Sequence, residues 1–116
     1  MFDNRHWDVW RPYSPPIPIY VDIDRVLPTD EPPQREVSAR VAKYGLDLSG
    51  RMPARQRAWH RLTDGRWIAS VEVPVETDGQ WMFLDFIASA EAVALREESD
   101  TMPDRPSNRW GQPKRF

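Results

Sequence analysis

The chain has 116 residues, a net charge of −2 and no cysteine. That length supports one modest core with tails and excludes a two-domain enzyme, a repeat array or a coiled coil. Absent cysteine excludes a disulfide framework, thiol chemistry and a thiolate metal site; no apolar run reaches the ~18–20 residues of a membrane span. The N-terminus lacks a basic-then-apolar leader, so a cytoplasmic protein with no membrane partner is expected.

Twelve prolines against five glycines make much of the chain stiff and extended. Six tryptophans are many for this length, and each needs burial or a partner face. The 16 cationic residues are 14 Arg and 2 Lys. This skew suggests a GC-rich genome, such as that of an actinobacterium or its phage.

In chain order, residues 1–16 read as an N-terminal arm bearing Pro and Trp, 17–98 as a single α+β domain, and 99–116 as a C-terminal arm. Residues 17–27 form the first strand by alternation: Ile17, Ile19, Val21 and Ile23 point one way and Pro18, Tyr20, Asp22 and Asp24 the other. Pro18 has no N–H, which predicts an edge strand or the entry to one. A helix is expected over 30–45, capped by Thr29 or Asp30, with Pro32 and Pro33 in its first turn and the stripe Val37, Val41, Tyr44 on its apolar side. Gly45 then takes a left-handed C′ position, and 46–55 is a linker.

Residues 56–98 form a β-meander. Asp64-Gly65 and Asp78-Gly79 are two hairpin signals, and placing both at turn centres sets the register. Leu62 then faces Trp67, His60 faces Ala69 and Ala58 faces Val71. In the second hairpin Val75 faces Met82, Val73 faces Leu84 and Val71 faces Phe86. One face becomes an apolar comb of Trp67, Ala69, Val71, Val73 and Val75. The other carries Trp59, Ile68, Pro74, Trp81, Phe83 and Ile87 among Arg57, Arg61, Glu72 and Asp85, with Arg57 paired to Glu72. That face is too apolar for water alone: something covers it, or it binds something.

After the third run, Ala88–Ala92 reads as a helical turn and Val93–Arg96 as a short strand or helix end. This succession of long hairpin, strand, single turn and short strand resembles the end of an SH3-like barrel. The resemblance covers about 40 residues, concerns architecture and carries no function with it.

Candidate chemistry is sparse. Arg51, Arg55, Arg57, Arg61 and Arg66 face a single acid, Asp64, with Trp59, His60 and Trp67 interleaved. Guanidinium forks and stacking planes suit nucleic acid, but the same residues suit a solvated strand in an Arg-rich protein. Asp22 with Asp24, and Glu72 with Asp85, are pairs rather than metal sites. His6 and His60 lie far apart, and His60 falls on the comb face. No nucleophile elbow or Gly-rich phosphate loop occurs, so neither an enzyme nor a cofactor is expected.

The arms carry aromatics that disordered tails usually lack: Phe2, Trp7, Trp10 and Tyr13 in the first, Trp110 and Phe116 with Arg105, Arg109 and Arg115 in the second. They either wrap this chain's own sheet or dock on a partner.

The expectation is therefore an α+β domain with a small antiparallel meander, a partly open SH3-like barrel, one helix and Pro-rich arms. Its expected function is non-catalytic recognition of a protein partner, as an assembly component or an inhibitor of a host complex, with self-association a further option. The contact residues would be Trp59, Trp81, Phe83, Arg57, Arg61, Trp7, Trp10 and Trp110, Trp and Arg being the types that dominate interface energetics. The alternative is a small nucleic-acid-binding domain using Arg51, Arg55, Arg57, Arg61 and Arg66.

Overall fold

Alternating side chains build the molecule from its first described residues. The structure is a computed structural model describing residues 7–27, 36–97 and 101–106. Strands β1 (Trp10–Asp22), β2 (Arg51–Arg61), β3 (Trp67–Thr77), β4 (Gln80–Ser89) and β5 (Val93–Leu95) form one antiparallel sheet in the order β4-β3-β2-β1-β5. Two short helices, α1 (Ile23–Val26) and α2 (Ala39–Tyr44), and a 3-10 turn at Ala90–Ala92 complete it. This is a small α+β protein dominated by a meander. Its sheet is open: among the described residues no ladder joins β4 to β5.

The core lies on one face. Ile19, Val21 and Ile23 from the first alternating run meet Ala54, Ala69, Val71, Val73 and Val75, and Ala88 and Ala92 close the cluster. Val26, Leu48, Trp59, Leu84 and Phe86 pack around it. The comb on β3 is thus the floor of the core, as its alternation predicts.

The first strand begins earlier and ends sooner than its alternation suggests. β1 starts at Trp10, inside the expected arm, because Trp10, Arg11 and Pro12 pair with His60, Trp59 and Ala58 of β2. It ends at Asp22, whose side chain accepts from the Asp24 amide and caps α1. β1 is not the edge strand expected from Pro18: it lies between β2 and β5. The Pro18 carbonyl accepts from the Arg96 amide just beyond the end of the β1–β5 ladder. The missing N–H points the same way, where no further strand residue needs it.

The expected helix over 30–45 is shorter within the described residues. Ser38, not Thr29 or Asp30, caps α2 by accepting from the Val41 amide at 3.2 Å. Thr29, Asp30, Pro32 and Pro33 lie outside the described residues. Gly45 has φ −67°, not the left-handed value; a Cβ there would stand 2.6 Å from the Val41 carbonyl oxygen, so glycine answers to a close approach. Val37, Val41 and Tyr44 do not enter the core and stay exposed. The expected linker 46–55 is strand from Arg51 onward.

The two Asp-Gly turns differ. Asp78 and Gly79 both have positive φ, 50° and 74°, and close a two-residue hairpin whose pairs Val75–Met82, Val73–Leu84 and Val71–Phe86 match expectation. Around Asp64-Gly65 only the glycine is left-handed, at 92°. The Leu62 amide bonds the Arg66 carbonyl and the Gly65 amide bonds the Leu62 carbonyl. This is a three-residue loop with a glycine bulge. The true pairs are Arg61–Trp67, His60–Ile68, Trp59–Ala69 and Ala58–Ser70, one residue from the expected register. A one-residue slip exchanges the faces. Trp59 moves to the core side, and His60 leaves the comb for the second face, where Nε2 lies 3.2 Å from Ser70 Oγ. A second bulge between Gln56 and Ala58 shifts the register by one more residue, so Arg55 rather than the expected Arg57 stands opposite Glu72. The buried Gln56 amide donates to the Ala58 carbonyl across it.

Candidate functional site

The sheet presents two groups of arginines and aromatics, one at its open end and one on the face away from the core. At the open end, β1, β2 and β3 place Arg11, Trp59, Arg61 and Trp67 together, because Arg11 pairs with Trp59 and Arg61 with Trp67. The Arg11 guanidinium lies 4.6 Å from the Trp67 ring centroid and that of Arg61 lies 5.4 Å from it. Arg11 also reaches Trp7, 5.9 Å from its ring and 3.3 Å from Nε to its carbonyl oxygen. Each such cation–aromatic contact is worth about 0.5–1 kcal/mol where water has access. The four residues Arg11, Trp59, Trp67 and Ala90 line a cleft of about 280 Å³. Its walls are mainly apolar and its rim is cationic.

The other face is ionic. Glu72 of β3 is buried, its side chain 3% exposed, and it meets three guanidinium groups. Arg57, carried outward by the bulge, pairs with Glu72 Oε2. Arg55 stands 3.7 Å from Oε1, and Arg105 Nε stands 3.1 Å from Oε2. That last contact is misaligned for a hydrogen bond and acts as a coulombic pair. Asp85 lies directly across from Glu72 on β4. Two carboxylates so placed repel each other, and Arg105 bridges them with a fork to Asp85 at 2.8 and 3.1 Å.

Arg105 belongs to residues 101–106 of the second arm, which lie on this face. Arg55 donates to the carbonyls of Pro103 and Met102 at 2.8 and 2.5 Å. Arg105 donates to the Phe83 carbonyl at 2.8 Å, with its guanidinium 5.9 Å from the Phe83 ring. The two-residue hairpin makes pairs 77–80, 75–82 and 73–84 the hydrogen-bonded ones, so the Phe83 carbonyl points outward from the edge strand. The same alternation lets Pro74 face Phe83 without a missing bond between them.

The expected contact residues therefore separate. Phe83 is 5% exposed, so it does not form part of an open surface. Trp59 is half-buried on the core side, with Arg61 on the same side of β2. Trp81 is half-buried opposite Glu76, and Arg57 is committed to Glu72. Trp7 and Trp10 are 46% and 39% exposed. Trp110 lies outside the described residues. Of the basic segment, Arg51 and Arg61 stand at opposite ends of β2, about 33 Å apart at ~3.3 Å per residue. Arg51 lies 4.0 Å over the Tyr20 ring, Arg55 is buried, and Arg66 pairs with Asp64 at the turn. The five do not form one patch.

Arg11 and Trp67 were not among the expected contact residues. Trp67 reads as core, and Arg11 sits in a stretch that reads as an arm. The alternation Trp7, Val9, Arg11 is visible, but it points nowhere until β1 is known to reach back to Trp10. The Asp64 carboxyl is held below its ordinary value of 3.8, first by the Arg66 amide and then by the Arg66 guanidinium. Among the described residues no three His, Asp or Glu side chains gather as a metal-ligand set, and no helix is long and apolar enough to cross a membrane.

Comparison with protein-family models, with curated proteins and with solved structures gives no match to this chain.

Proposed function

We propose that the protein is a non-catalytic binding module that recognises a protein partner through its Arg–Trp end, formed by Trp7, Trp10, Arg11, Trp59, Arg61 and Trp67. The observation that carries this reading is the Trp67 ring 4.6 and 5.4 Å from the guanidinium groups of Arg11 and Arg61, beside a cleft that Trp59 also lines. Trp and Arg in a preordered cluster are the residue types of interface hot spots, and stacking fixes their long side chains before a partner arrives. The strand order β5-β1-β2-β3-β4, with a 3-10 turn leading into the last strand, supports an SH3-like barrel left partly open. The cytoplasmic setting, the phage or actinobacterial origin and a role in assembly or in inhibition of a host complex belong to the same proposal.

The test is capture of partners by the wild-type chain, by Trp67→Ala and by Arg11→Ala, with all three matched in circular dichroism. Proteins retained by wild type should fall at least tenfold with Trp67→Ala and with Arg11→Ala. Equal retention by all three overturns the reading. The nucleic-acid alternative keeps three exposed arginines, Arg51, Arg61 and Arg66. It requires DNA or RNA binding at low ionic strength that weakens steeply with salt. An aromatic-anchored protein contact weakens little.

A further inference from the structure

The ionic face holds residues 102–106 in the manner of a bound peptide. Two successive backbone carbonyls, of Met102 and Pro103, accept from the one Arg55 guanidinium, where the chain bends at Met102. Asp104 joins the same arginine, its Oδ1 3.7 Å from Arg55 Nη1, while its side chain stays 99% exposed. One side chain is read closely: Arg105, 8% exposed, set between Glu72 and Asp85 and donating to the Phe83 carbonyl. Pro103 and Pro106 bracket it and favour an extended backbone before docking. The backbone contacts serve affinity, and the one deep side-chain position serves specificity. The slot discriminates by shape as well as charge. A planar guanidinium makes the fork to Asp85 while pairing with Glu72, and an ammonium group cannot do both.

We propose that the slot formed by Arg55, Glu72, Phe83 and Asp85 is a binding site for a peptide segment carrying a proline-flanked arginine. Residues 102–106 occupy it as a tethered ligand, and a peptide of the same chemistry on another molecule competes for it. Tethering presents the segment at an effective concentration on the order of millimolar, so a competitor acts only where it binds more tightly or the tail is withdrawn. This site is separate from the Arg–Trp end and does not rest on the reading given above for that end.

The probe is a capped peptide spanning Thr101–Pro106, titrated into the isotopically labelled full-length chain and followed by amide shifts of residues 55, 72, 83 and 85. With Arg105→Ala in the chain, the peptide should bind saturably, at least tenfold more tightly than to wild type. Replacing its arginine by lysine should weaken binding several-fold, and by alanine abolish it. Adding Asp85→Asn to the Arg105→Ala chain should weaken binding about tenfold; Asp85 is 61% exposed, so this change spares the core. If Arg105→Ala loses the native spectrum, Arg105→Lys replaces it, keeping the charge and losing the fork. No saturable shifts, equal affinity for wild type, or equal affinity for the alanine peptide overturns the proposal.

Discussion

The two faces of the sheet are held by opposite means. One buries Ile19, Val21, Val71 and Val73 against α1 and the 3-10 turn, with no charge among them. The other buries Glu72 under arginines drawn from β2 and from a segment more than thirty residues further along the chain. Apolar burial is tolerant and non-directional, whereas a buried carboxylate must be matched group by group. The core face therefore needs only the right pattern, and the ionic face needs specific partners in specific places.

Four measurements break or sharpen this contrast. Glu72→Ala should have the largest effect, about 3–5 kcal/mol in urea unfolding, because it leaves buried guanidinium groups without their carboxylate. Ile19→Ala should cost about 2–5 kcal/mol, depending on how far the core collapses around the cavity, and its cost should not change with salt. Arg105→Ala should cost less, about 1–2 kcal/mol, since the tail lifts away with it and Asp85 is already well hydrated. Its characteristic sign is faster amide exchange at Thr101, Met102, Asp104 and Arg105 with β2–β4 protection retained. If exchange there stays slow, Arg105 is not what fastens the tail. The smallest effect is that of pH on Asp64, an exposed ion pair that contrasts with the buried cluster. Its folded value is depressed, so its contribution is present at neutral pH and is lost as pH falls below about 4 and through the lowered value. Asp64→Asn should remove that acid dependence while leaving the strand registers unchanged in amide shifts.

Much of the core face was legible from residues alone. Ile17, Ile19, Val21 and Ile23 alternate, as do Ala69, Val71, Val73 and Val75, and alternation fixes which side chains share a face wherever a strand is unbroken. The second hairpin was legible too, because Asp78 and Gly79 both adopt the left-handed conformation that a two-residue turn demands. The first hairpin was not. The same dipeptide at 64–65 closes a longer loop, since Asp64 spends its carboxylate on Arg66 and leaves only Gly65 left-handed. One residue of slip then carried Trp59 to the core side and His60 to the other. Arg57 and Glu72 do meet as an ion pair, but Arg55 stands opposite Glu72, because the bulge at Gln56–Ala58 adds a second residue of shift and leaves Arg57 outside the ladder.

By itself the sequence determined the antiparallel α+β class, the apolar side of β1 and β3 and the tight turn at Asp78-Gly79, because these depend on neighbours along the chain. Only the tertiary structure decided that β1 reaches back to Trp10, that Arg11 and Arg61 clasp Trp67, and that Arg105 lies between Glu72 and Asp85. All of those contacts but Arg61–Trp67 join residues far apart in the chain. Their partners are selected by register and by charge balance across strands, and neither is encoded in any local run of residues.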